Sequence, residues 1–217
     1  MNYKIILLLL SLLILNGCSH SLSLTNEDDY YASSPMFNKE NISIGILPAQ
    51  SSEDERLLEE IVDNIRSLGT IKVKYPYAMN KGHEVNYIID FGIQKEYKGN
   101  PINFLISFPG FYVFAPWWNG YKYSTNINTK ITIFDYNSSD VLLSKKIETV
   151  FHCKHSEFDR TWTQGVDWLA TYGLASLVGG IYYMTYDDDI TSDFLKKVSP
   201  NYGKYIARKF VTSMSSI

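Results

Sequence analysis

The feature that most constrains the fold is a long alternation followed by its own return. From Tyr121 to Tyr136 the chain alternates, with Ile127, Thr129, Ile131 and Ile133 falling on one side. Side chains of a strand point to opposite faces in turn, so this pattern predicts a strand with one buried face. Asn137-Ser138-Ser139-Asp140 is turn-forming, and Val141 to Phe151 supplies an antiparallel partner. A hairpin of this length needs something to cover its apolar face, and the flanking segments provide it.

Upstream, Ile42-Ser43-Ile44-Gly45-Ile46-Leu47 runs into Pro48 as a first strand. Ser51 and Ser52 precede Glu53, Asp54 and Glu55, which supply a cap and favourable charges for a helix start. Leu57, Leu58, Ile61, Val62, Ile65 and Leu68 then recur at helical spacing as one apolar face, ended by Gly69. Ile71 to Tyr75 reads as a second strand stopped by Pro76. After the loop Tyr77–Glu84, Val85 to Tyr97 reads as a long strand carrying Tyr87, Ile88, Ile89, Phe91 and Ile93. At the other end, Tyr202, Tyr205, Ile206, Phe210 and Val211 predict a closing helix over Tyr202 to Met214. The order implies an α+β fold, a mostly antiparallel sheet packed by helices, with an apolar aromatic hairpin insertion and a C-terminal helical segment.

The chain begins differently. Lys4 gives a short positive start, and Ile5 to Leu15 is apolar except for Ser11. That is short for a bilayer span and suits the apolar region of an export signal. It leads into Leu15-Asn16-Gly17-Cys18, which resembles the lipobox of bacterial lipoproteins: an aliphatic residue, a small residue before the cut, and cysteine as the new N-terminus. Asn16 is a less usual occupant of the middle position. The resemblance implies a signal peptide over 1–17, recognised through Leu15, Asn16 and Gly17, and lipid (palmitate among its acyl chains) on Cys18. One acyl chain binds a membrane marginally, at about 0.8 kcal/mol per buried methylene, whereas several anchor stably. Ser19 rather than aspartate after the cysteine implies the outer membrane, lipid-anchored and facing the periplasm. Residues 18–40, rich in Ser, Asn, Asp and Glu, are expected to be a lipidated flexible tether, with a single α+β domain over 41–217.

The order of elements is similar to a group of envelope domains: the N-terminal domain of TolB, the curli secretion-channel lipoprotein, and lipoprotein activators of penicillin-binding proteins. The residues carrying the similarity are Ile42 to Pro48, Tyr87 to Tyr97, and the hairpin Ile131-Thr132-Ile133-Phe134-Asp135 to Val141-Leu142-Leu143-Ser144. They span roughly half the chain as pattern rather than as a diagnostic motif, and fold alone does not fix function.

Two apolar segments stand apart. Ile102 to Trp118 is nearly all apolar and aromatic around Pro109-Gly110. It is expected to be a short hairpin folded over the sheet as core. The alternative is an exposed hairpin contacting a membrane or partner through Phe108, Phe111, Phe114, Trp117 and Trp118. Val166 to Met184 approaches the length of a membrane span, but Asp167 and Asp187-Asp188-Asp189 bound it without basic anchors. A buried helix or helical hairpin on the sheet is the expectation there.

Charge balance (20 basic against 23 acidic residues) gives no field for nucleic acid, and no such partner is expected. The 17 tyrosines and four tryptophans suit wet interfaces and membrane headgroups. With Cys18 consumed, Cys153 is left without an intramolecular partner, so it is expected to be buried and inert rather than paired with another chain. His152-Cys153-Lys154-His155 offers metal-binding residue types, but in a strand His152 alternates with Cys153 and the ligands do not converge. Asp187-Asp188-Asp189 with Asp193 lacks the spacing of a calcium loop. No Gly-x-Ser-x-Gly elbow or phosphate loop is present, and His83 has no nucleophile beside it. The expectation is therefore no catalytic residue, no metal and no cofactor. The function expected is a non-enzymatic interaction or assembly module with an envelope protein partner. A self-assembling homo-oligomer contacting the membrane and a cell-wall or lipid hydrolase are the alternatives.

Overall fold

The computed structural model describes residues 20–24, 42–78, 84–107, 121–155, 166–167, 169–185 and 188–217. Six strands, β1 (His20–Leu24), β2 (Ile42–Ile46), β3 (Ile71–Lys74), β4 (Tyr87–Lys98), β5 (Tyr121–Asp135) and β6 (Val141–His155), form one sheet in the order β1-β6-β5-β4-β2-β3. Four helices accompany them: α1 (Ser52–Ser67), α2 (Ile102–Ser107), α3 (Leu174–Thr185) and α4 (Asp188–Met214). The class is α+β with a mostly antiparallel mixed sheet, as the patterning implies. β2 pairs in parallel with both β3 and β4, and α1 supplies the crossover that a parallel β2–β3 pair requires.

Packing divides the described residues into two compact units. Unit 1 draws on 1–25, 97–125 and 150–192, and unit 2 on 26–96, 126–149 and 193–217. In unit 2, Ile127, Thr129, Ile131 and Ile133 are fully buried, so the alternation of β5 faces as expected. Phe91 of β4 meets Phe210 of α4 with ring centroids 5.7 Å apart. The α1 face of Leu57, Leu58, Ile61, Val62 and Ile65 is buried as well. α4 crosses α1 at Gly203, where a Cβ would stand 2.7 Å from the Glu60 carbonyl carbon. On the other side of the sheet, Tyr77, Val85 and Ile88 make a smaller cluster with Leu47, Phe134 and Tyr136. Gly45 sits beneath the Tyr77 ring, where a Cβ would approach within 2.5 Å.

The start of α1 follows its residues. Ser51 caps it, accepting from Asp54 N–H at 3.2 Å while its hydroxyl donates to Asp54 Oδ2 at 2.6 Å, a reciprocal cap. Gly69 leaves the helix with φ of 70°, the left-handed conformation that favours glycine.

Four expectations need correction. His20–Leu24, inside the stretch expected to be a flexible tether, forms β1 and pairs antiparallel with Phe151–His155; Leu22 and Leu24 alternate with Ser21 and Ser23, a pattern too short to outweigh the polar composition around it. The remainder of the expected tether, 25–41, lies outside the described residues. The apolar insertion opens as helix α2 rather than as a strand of a hairpin. Asn100 Oδ1 accepts from Ile102 N–H at 3.0 Å, and Pro101 follows the cap, both favourable at a helix start. The closing helix begins at Asp188 rather than Tyr202 and carries Pro200 inside it. Finally, the stretch over 166–184 is not buried as expected. Tyr172 and Gly173 take positive φ (55° and 81°) and break it, and Leu169, Leu174 and Val178 are exposed.

Candidate functional site

In unit 2 a polar cluster forms where α1 begins, against β4 and α4. Lys95 of β4 reaches Glu53 Oε2 and Asp54 Oδ1, both at 2.8 Å. Burial works against the charge on Lys95. The hydrogen bonds and charges of the two carboxylates outweigh it, and its pKa lies above the ordinary value. Tyr75 donates its hydroxyl to Glu55. Burial, that hydrogen bond and the charges of Glu55 and Glu59 push the Tyr75 phenol well above its usual range. Tyr202, fully buried on α4, shares a 2.6 Å hydrogen bond with Thr129 of β5. Burial raises its phenol too, the bond to Thr129 works against that shift, and the charge of Asp54 adds to it. The cluster ties α1 and α4 to the sheet.

In unit 1 the polar anchor is Asn103 of α2, which is fully buried. Its Nδ2 donates to Lys122 O at 2.9 Å and its Oδ1 accepts from Lys122 N–H at 2.8 Å. The side chain thus mimics a strand neighbour and ties α2 to the start of β5. α2 and α3 pack against each other.

Among the described residues the sheet ends on β3 at one edge and on β1 and β6 at the other. β3 is short and carries Lys72 and Lys74, the blunting expected of an outer strand. On the other side, β1 covers β6 only from Phe151 to His155. Among the described residues, no strand lies beyond Val141–Val150, and Val141 and Leu142 are exposed at its start.

The residues singled out in the sequence fall as follows. Leu15, Asn16, Gly17 and Cys18 lie outside the described residues, as do Phe108, Phe111, Phe114, Trp117, Trp118, His83 and Asp187. β6 stays extended through His152, Cys153, Lys154 and His155, which stand opposite Ser23, Leu22, Ser21 and His20. Among the described residues no three His, Cys, Asp or Glu side chains come together as a metal site would require. Asn103 and the open edge of β6 were not legible beforehand. The Asn100-Pro101 pair was the available signal for the helix that places Asn103.

No protein-family model matches the chain, and no curated protein matches it. Among solved structures, a provisionally assigned lipoprotein from Caulobacter crescentus CB15 is similar at 10% identity and a TM-score of 0.39, over 80% of this chain and 90% of that one. The PelC dodecamer from Paraburkholderia phytofirmans gives 9% identity and a TM-score of 0.31, over 78% and 100%. The rare lipoprotein B from Shewanella oneidensis gives 11% and 0.31, over 71% and 97%. Similarity at this level transfers no function to this chain.

Proposed function

We propose that the chain is a lipid-anchored protein of the bacterial envelope, held at the outer membrane through Cys18 and facing the periplasm. There it works as a non-enzymatic interaction or assembly module. The anchor rests on Leu15-Asn16-Gly17-Cys18 and on Ser19 after it. The interaction role rests on one observation: among the described residues no strand pairs with β6 over Val141–Val150, and Val141 and Leu142 are exposed there. An uncovered strand edge presents a row of backbone donors and acceptors, and an extended segment of another protein can add to it as a further strand.

Two measurements test this reading. Metabolic labelling with palmitate should mark the wild-type chain and leave Cys18→Ala unmarked; equal labelling of both would remove the anchor. A photo-crosslinking residue at Leu142 should give a discrete adduct with an envelope protein in cells, while one at Asp63, on the exposed side of α1, gives none. Absence of an adduct at Leu142 would sink the interaction role. The same edge also supports the self-assembling alternative, since two copies can pair β6 to β6. An adduct with a second copy of this chain, together with an oligomer in detergent, would favour it.

A further inference from the structure

Among the described residues, eight of the eleven exposed large apolar side chains belong to unit 1. The main group is Leu105 of α2, Leu169 and Tyr172 before the break, and Leu174, Val178 and Ile181 of α3, each between 53 and 87% exposed. Leu174, Val178 and Ile181 recur at the four- and three-residue spacing of a single helix face. α3 has no charged residue anywhere in Leu174–Thr185. A helix apolar all round is normally covered on every side. Here α2 covers one side, and the face of Leu174, Val178 and Ile181 stays open.

The geometry points to a bilayer surface as what covers it: we infer that α3 and the turn at Tyr172 lie in the headgroup–acyl boundary of the membrane. The orientation rests on the reading of Cys18 as the lipidated residue. β1, a strand of the same unit, begins only two residues after Cys18. Two extended residues reach about 7 Å, so the lipid holds unit 1 against the headgroups. α3 has 12 residues, which at 1.5 Å per residue is about 18 Å and far short of a span. No described helix is long and apolar enough to cross a membrane. A helix too short to span, with an open apolar face, can bury that face only by lying in the plane of the interface. Tyr172, with an apolar ring and a polar tip, suits the headgroup level. A single lipidated cysteine then acts with a second, protein-borne contact that fixes which way the molecule faces.

The test uses the lipid-free chain from Ser19 to Ile217, which keeps every described element, and vesicles of phosphatidylethanolamine and phosphatidylglycerol. The wild-type chain should float with the vesicles. Leu174→Ser/Val178→Ser/Ile181→Ser should lower that partition by at least about tenfold. The three side chains are exposed, so far-ultraviolet dichroism should be the same for both. Bound vesicles should also slow hydrogen exchange in Leu174–Thr185 of the wild type. A chain that stays in solution overturns the inference, as does a variant that floats equally well. A wild-type oligomer that the variant dissolves, with no flotation of either, overturns it too and assigns the face to contacts between copies. Because this chain carries no lipid, failure here leaves the palmitate result untouched.

Discussion

Asn103 and Gly203 show how much of this fold hangs on single positions that look unremarkable in sequence. Asn103 gives both backbone groups of Lys122 a partner without contributing a strand. Asn103→Ala should remove both part-buried bonds to Lys122, a loss of about 0.5–1.5 kcal/mol for each bond in urea unfolding. An unchanged midpoint would mean that water replaces the amide. Gly203 poses a contest of signs. Inside an exposed helix, glycine to alanine gains about 1 kcal/mol. Here the new Cβ would meet the Glu60 backbone at 2.7 Å, and backbone cannot step aside as a flexible side chain can. Overpacking should win, so Gly203→Ala should lower stability by about 1–3 kcal/mol; a rise in thermal midpoint would show that α4 can lift off α1 cheaply.

At the scale of elements, the β5–β6 turn carries its own pH dependence. Asp135 Oδ1 accepts from the N–H groups of Ser138 at 2.9 Å and Asn137 at 2.8 Å. Those bonds favour the carboxylate and hold its pKa below the usual range. A lowered folded pKa means the stabilisation is present above the unfolded value of about 3.9 and is lost as pH falls through the folded value. Ser138 and Asn137 amide shifts should therefore move together in acid, and Asp135→Asn should abolish that movement. The helices differ in how readily their chemistry reveals them. α1 has a cap, acidic first turn, one apolar face and a glycine stop, so its limits follow from local rules. α4 runs through Pro200, a residue that removes a hydrogen bond and ordinarily ends a helix. Burial of Val198, Tyr202, Tyr205 and Ile206 on either side of it holds the helix together.

For the molecule as a whole, the two raised phenols link stability to alkaline pH. Tyr75 and Tyr202 both sit above the ordinary tyrosine value, chiefly through burial. A raised folded pKa gives a contribution that is whole below the unfolded value of about 10 and lost as pH rises through the folded value. Unfolding should accordingly become cooperative in strong alkali, with the last phenolate absorbance appearing in step with loss of ellipticity. Tyr202→Phe should shift that transition to higher pH by removing a group that must otherwise ionise. Phenolate appearing in full while the fold persists would count against the burial of Tyr202.

The sequence by itself determined the α+β class, the β5–β6 hairpin, β2, α1 and the lipobox-like start, because each rests on local periodicity, capping or spacing. The faces of β5 and α1 could be read residue by residue from alternation and from helical recurrence. Tertiary structure alone decided the rest. It set β2 between β3 and β4 in parallel, which depends on pairing across the chain. It recruited His20–Leu24 into the sheet, where β6 supplies backbone partners that a polar sequence context hides. It carried α4 through Pro200 by packing on both sides. It also left the apolar stretch after Val166 uncovered, against the expectation of burial. Hydrophobicity states that a surface is costly to expose to water, but only the arrangement of neighbours decides whether protein covers it or something else must.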